Sequence, residues 1–115
     1  MSARTDENPA VILTGDFNTR PGSATYKNFT GSGFTDTFLA AGNKDDESAN
    51  TFHAFEGSRY RDAHPERKPR RIDWVFLKDP KGRWRTESHD IIRDAEEDSG
   101  LYPSDHYPIV ADFAF

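Results

Sequence analysis

The chain has 115 residues, no cysteine, a net charge of −5, 34% hydrophobic and 30% charged residues, and a mean hydropathy of −0.88. These values exclude disulfides and thiolate metal sites, and the acidic pI of about 5.3 is a poor match for holding nucleic acid by bulk charge. The length fits one small domain, and so polar a chain has little apolar material for a self-contained core. No apolar run approaches membrane-spanning length, and the first nine residues carry no apolar signal-peptide region.

In chain order, residues 1–9 read as a flexible N-terminal segment and residues 10–115 as the folded part. Residues 10–14 are a short apolar, β-branched run that predicts a buried strand. Gly15-Asp16-Phe17-Asn18 follows among dense turn residues, which puts Asp16 and Asn18 on the loop at the strand's end. One residue apart on an extended backbone, the two side chains would face the same way. Ser23 can cap a short helix to about Phe29, with Tyr26 and Phe29 three apart and glycines at 31 and 33 to end it. Residues 34–41 predict a second short helix or turn, and 44–50 a polar loop.

Residues 51–57 are aromatic and end in Gly57, so they predict a small strand or a loop with outward rings. Arg59, Arg61, Arg67, Lys68, Arg70 and Arg71 then crowd one segment against Asp62 and Glu66. That segment is either a solvated loop or one that faces phosphate, with Arg71 at its end as a substrate contact. Residues 71–78 predict a strand covered on both faces, with Ile72, Trp74 and Phe76 alternating against Asp73, Val75 and Leu77. A turn at 79–82 leads to a further strand at about 84–93, then an acidic loop to Gly100. The last strand is predicted at 107–115, just after Ser104-Asp105-His106, which Pro103 and Pro108 bracket. His64 and His89 read as surface histidines.

Three polar groups therefore stand at the mouths of three predicted strands: Asp16 with Asn18, Asp73, and Asp105 with His106. A carboxylate set between Ile72 and Trp74 needs a partner, and an imidazole that it orients is the economical one. The oxygen donors Asp16, Asn18 and Asp105 suit a hard cation such as Mg²⁺ or Mn²⁺ better than zinc.

Gly15-Asp16-Phe17-Asn18, Arg71-Ile72-Asp73-Trp74-Val75-Phe76 and Ser104-Asp105-His106-Tyr107-Pro108 resemble the three C-terminal motifs of the endonuclease/exonuclease/phosphatase superfamily, the deoxyribonuclease I-like fold. The resemblance spans residues 10–115 and implies an α/β (α+β) chain equivalent to the C-terminal half of a two-sheet sandwich, mainly antiparallel with short helices. It implies a metal-dependent phosphoesterase or phosphodiesterase acting on nucleic acid, phospholipid, inositol phosphate or a small phosphodiester. By resemblance, Asp16 positions or deprotonates the attacking water, and Asn18 orients it or binds metal and phosphate oxygen. Asp105 ligates the metal, His106 acts as general base or stabilises phosphoryl charge, and Asp73 orients its ring. Phe52, His53 and Phe55 fall where the family places a substrate-contacting loop, with ordinary packing as the alternative.

The family's N-terminal half, including its metal-binding Glu, has no counterpart before residue 10. Little turnover is therefore expected of this chain alone. A non-catalytic binding or assembly module is the alternative. A half-sandwich would expose Ile12, Ile72, Trp74, Phe76, Ile109 and Phe113, and would be covered by a second copy in a homodimer or by the missing half.

Overall fold

The computed structural model describes residues 9–46, 48–60, 70–93 and 100–115. The expected flexible segment lies, but for Pro9, outside the described residues, as do most of the basic and acidic loops and His64. The elements are β1 (Val11–Asp16), α1 (Ala24–Gly31), β2 (Thr35–Asp36), α2 (Thr37–Ala40), β3 (Asp73–Lys78), β4 (Arg85–Ile91) and β5 (Ile109–Ala114). They form two antiparallel sheets, one ordered β1-β3-β2 and the other β4-β5.

β3 is the centre of the larger sheet because it is the most apolar strand, and its residues 74–77 are all buried. Period-two alternation sends Trp74 and Phe76 to one face and Val75 and Leu77 to the other. The first face is closed by the chain itself. Ser23 caps α1 by accepting from the Tyr26 amide, and the helix lays Tyr26 and Phe29 over the sheet. Phe17 stacks on Trp74 at 4.6 Å between ring centroids, and Phe29 stacks on Phe76 at 5.4 Å. Trp74 and Phe76 are therefore fully buried, which corrects the expectation that both lie on an exposed face. A helix of only eight residues suffices because its contacts are aromatic, each ring covering a large area.

The second face is covered over β3, at Val75 and Leu77, and open along β1. Ile12 pairs with Leu77 across the strands, so it points away from the aromatic layer, and it is 55% exposed. Ala10, Ile12 and Leu77 line an apolar groove with Trp84 and Phe113 of the β4-β5 side, about 240 Å³ in volume. Deeper between the sheets, Phe38, Ala49, Ile91 and Tyr107 form a small core that Tyr102 and Ile109 join.

Several polar residues serve this core. Asp36 caps α2 by accepting from the Phe38 amide, and its other oxygen accepts the Tyr26 hydroxyl. Arg71 closes a buried fork on Asp36 and Asp45, with Nη2 2.5 Å from Asp36 and Nε 2.6 Å from Asp45. Thr37, wholly buried, donates to the Val75 carbonyl and meets Nδ1 of His89 at 2.7 Å. His89 is thus a core residue and not a surface one, since β4's alternation turns it inward beneath Phe38.

Candidate active site

β1 runs two residues further than the apolar run predicts, so Asp16 is its last strand residue. There it stands directly opposite Asp73, the first residue of β3. Like charges facing each other across a ladder repel, so this pairing needs a cation or a shared proton between them. His106 supplies it. Its Nδ1 lies 2.8 Å from Asp73 Oδ2, and its Nε2 lies 3.7 Å from Asp16 and 3.9 Å from Asp105. Because an ionised carboxylate can only accept, the imidazole donates its Nδ1–H to Asp73 and turns Nε2 toward the other two acids.

Burial works against the charged ring, but the Asp73 hydrogen bond and charge, then the charges of Asp16 and Asp105, outweigh it. The His106 pKa is held above its ordinary value. The cluster is accessible to solvent: the side chains of Asp16 and Asp105 are about half exposed and that of Asp73 largely covered. It opens on a groove of about 360 Å³ between the sheets, lined by Thr14, Gly15, Asp16, Asp73, Val75, Tyr107, Pro108 and Ile109. Asp16, Asp73 and His106 offer ligand atoms within 4.8 Å of one another, a group that could hold a metal ion.

Asn18 departs from the same-face arrangement. Its φ is +51°, and its amide donates to Asp16 Oδ1 at 2.9 Å, so a tight turn replaces the extended backbone that the arrangement assumed. The Asp16 carboxylate is thereby anchored by its own loop. The Phe17 amide donates to the Ile72 carbonyl, which continues the β1–β3 pairing past Asp16 and fixes the loop against residue 72.

The substrate contacts read from the sequence divide. Phe52 is half-buried and meets the His106 ring edge-on at 5.4 Å, with the Arg70 guanidinium over its own ring at 4.7 Å. His53 is fully buried, stacked on Tyr107 at 4.2 Å, so it is a packing residue and not a rim residue. Its desolvation lowers its pKa, and its Nδ1 accepts the Gly57 amide. Arg71, 1% exposed and committed to Asp36 and Asp45, does not face phosphate either.

Two antiparallel sheets carrying a carboxylate–imidazole cluster at their strand mouths define a deoxyribonuclease I-like fold. A model of the Endonuclease/Exonuclease/phosphatase family matches residues 2–106, and the chain belongs to that family. Among solved structures it is similar to a mannosyl-6-phosphatase of Bacteroides thetaiotaomicron, with 23% identity over 95% of this chain and a TM-score of 0.73. It is also similar to a functionally unknown conserved protein of Enterococcus faecalis, with 23% identity over 91% of this chain and a TM-score of 0.67. The chain spans 39% of the first protein's length and 36% of the second's. A search of curated proteins gives no match.

Proposed function

We propose that this chain carries the proton-transfer side of a phosphoester hydrolase that uses a divalent metal ion. The observation that supports this most directly is His106, bound through one nitrogen to Asp73 and presenting the other to Asp16 and Asp105. Family membership supports hydrolysis of a phosphoester. At 23% identity the mannosyl-6-phosphatase supports the fold and not a particular substrate.

In this reading Asp16 accepts the proton of the attacking water. The water oxygen bonds to phosphorus as the P–O bond to the leaving group breaks, and Asn18 orients the water at the same loop. His106, protonated at Nε2, hydrogen-bonds the phosphoryl oxygens and offsets their growing charge, while Asp73 holds the ring in place. Phe52 forms the wall beside it. The donor set fits Mg²⁺ or Mn²⁺: two half-exposed carboxylates, Asp105 and Asp16, flank the imidazole and leave room for retained waters. Those two residues and Asn18 would hold the ion, which when bound lowers the pKa of water and neutralises phosphoryl charge.

The test is phosphodiester and phosphomonoester hydrolysis with Mg²⁺, with Mn²⁺ and with EDTA, by this chain alone and by a longer protein containing it. Turnover by the longer protein that EDTA abolishes is expected. Metal-independent turnover there, or none, would sink the proposal.

A further inference from the structure

Asp73 and His106 lie 33 positions apart, and something must hold their two segments in register before their side chains can meet. Thr51 touches both. It is fully buried, and its amide and hydroxyl both donate to the Arg70 carbonyl, at 3.0 and 3.2 Å. The same hydroxyl oxygen accepts the amides of Ile72 at 3.0 Å and Asp73 at 3.3 Å. On its other side, the Thr51 carbonyl accepts the Tyr107 amide at 2.7 Å, and the next residue, Phe52, bridges to His106.

We propose that Thr51 is the positioning residue that sets the Asp73–His106 geometry, a role that rests on the reading of that pair as the working acid–base unit. The hydroxyl governs one partner and the backbone carbonyl the other. A side chain with one donor and two acceptor lone pairs is what the start of β3 demands, because two successive amides point at the same spot. Buried N–H groups are costly to leave unpaired, so removing the oxygen displaces residues 72 and 73 toward other partners and carries the Asp73 carboxylate with them. Valine has nearly the same shape, and in Thr51→Val the carbonyl grip on Tyr107 persists. That variant therefore moves one member of the pair and leaves the other in place. Serine retains the hydroxyl and loses only a methyl group.

The readout is the His106 Nδ1–H proton in NMR spectra of the ¹⁵N-labelled chain, a signal that a hydrogen bond to a carboxylate shifts far downfield and shields from exchange. We expect it in the wild type, lost or moved upfield in Thr51→Val, and restored in Thr51→Ser, with circular dichroism unchanged in all three. An unchanged signal in Thr51→Val overturns the inference, as does a Thr51→Ser chain that behaves like the valine variant. A Thr51→Val chain that fails to fold also overturns it, since Thr51 would then hold up the fold and not the pair. Absence of the signal from the wild type removes the pair itself. The measurement needs neither metal nor turnover, so a chain that never hydrolyses a phosphoester can still pass it.

Discussion

His106 Nδ1 and Asp73 Oδ2 are 2.8 Å apart, and the bond fixes which imidazole nitrogen remains for chemistry. Asp73→Asn keeps the shape but replaces a pure acceptor with a group that can also donate, so the ring loses its enforced tautomer and its charge support. In the longer protein, phosphoester turnover should fall by roughly 10²–10⁴-fold, the scale of general acid–base assistance. Near-normal turnover by a folded variant would remove His106 from the mechanism.

Arg71 separates two readings of the basic segment. As a buried fork on Asp36 and Asp45 it should be needed for stability. Burial opposes its charge, yet the hydrogen bonds it donates to both acids keep its pKa raised. Arg71→Met would strand Asp36, which is 4% exposed, and breaking such a pair costs about 3–5 kcal/mol. Urea unfolding should show that loss or an unfolded chain. A variant with wild-type stability would return Arg71 to the phosphate-facing role.

Gly57 adopts φ +60° under the Tyr102 ring, and a methyl group there would fall onto the Tyr102 hydroxyl. Gly57→Ala combines left-handed strain with overpacking and should destabilise the chain by roughly 1–3 kcal/mol. Thermal unfolding measures it, and an unshifted midpoint would mean that residues 53–57 do not pack as described.

Stability should also depend on pH in the histidine range. Desolvation lowers the pKa of both His53 and His89, with Arg71's charge adding to it at His89, so their neutral forms are favoured in the fold. Their contribution is full above the unfolded value of about 6.5 and is lost as pH falls below it. His106, with a raised value, acts in the opposite sense: its contribution is full below about 6.5 and is lost as pH rises through its folded value. The two senses separate in a variant: removing His106 leaves only the groups whose contribution is lost on acidification. Relative to the wild type, the urea midpoint of His106→Gln should therefore drop further between about pH 7.5 and about pH 5.5, before most carboxylates titrate. A variant whose midpoint drops less than the wild type's over that range would contradict these assignments.

The residues of the cluster were legible because each stands beside a short apolar run, and a charged side chain at that place has few other uses. What the sequence hid is what depends on distant packing. His53, His89 and Arg71 look like surface residues until Tyr107, Thr37, Asp36 and Asp45 arrive from elsewhere in the chain. The expected exposed face failed in part because four aromatic side chains, at 17, 26, 29 and 34, close over Trp74 and Phe76. The turn at Asn18 was within reach, since an aspartate two residues ahead commonly accepts such an amide. Thr51 carried no signal of its own, because its value lies in which backbone groups surround it.

The two members of the central pair sit on different segments, and only one of them belongs to a sheet. Asp73 opens β3, whereas His106 lies on the approach to β5, whose ladder partner is β4. Local opening of a folded protein proceeds by cooperative units, and a two-stranded hairpin docked on a larger sheet is a natural one. When the β4–β5 pair lifts far enough to carry residues 105–107 off residues 51–53, the Asp73–His106 bond breaks with it. The acid–base pair therefore acts as a latch, and exchange of the Tyr107 amide, which bonds the Thr51 carbonyl, should report how often it is unfastened.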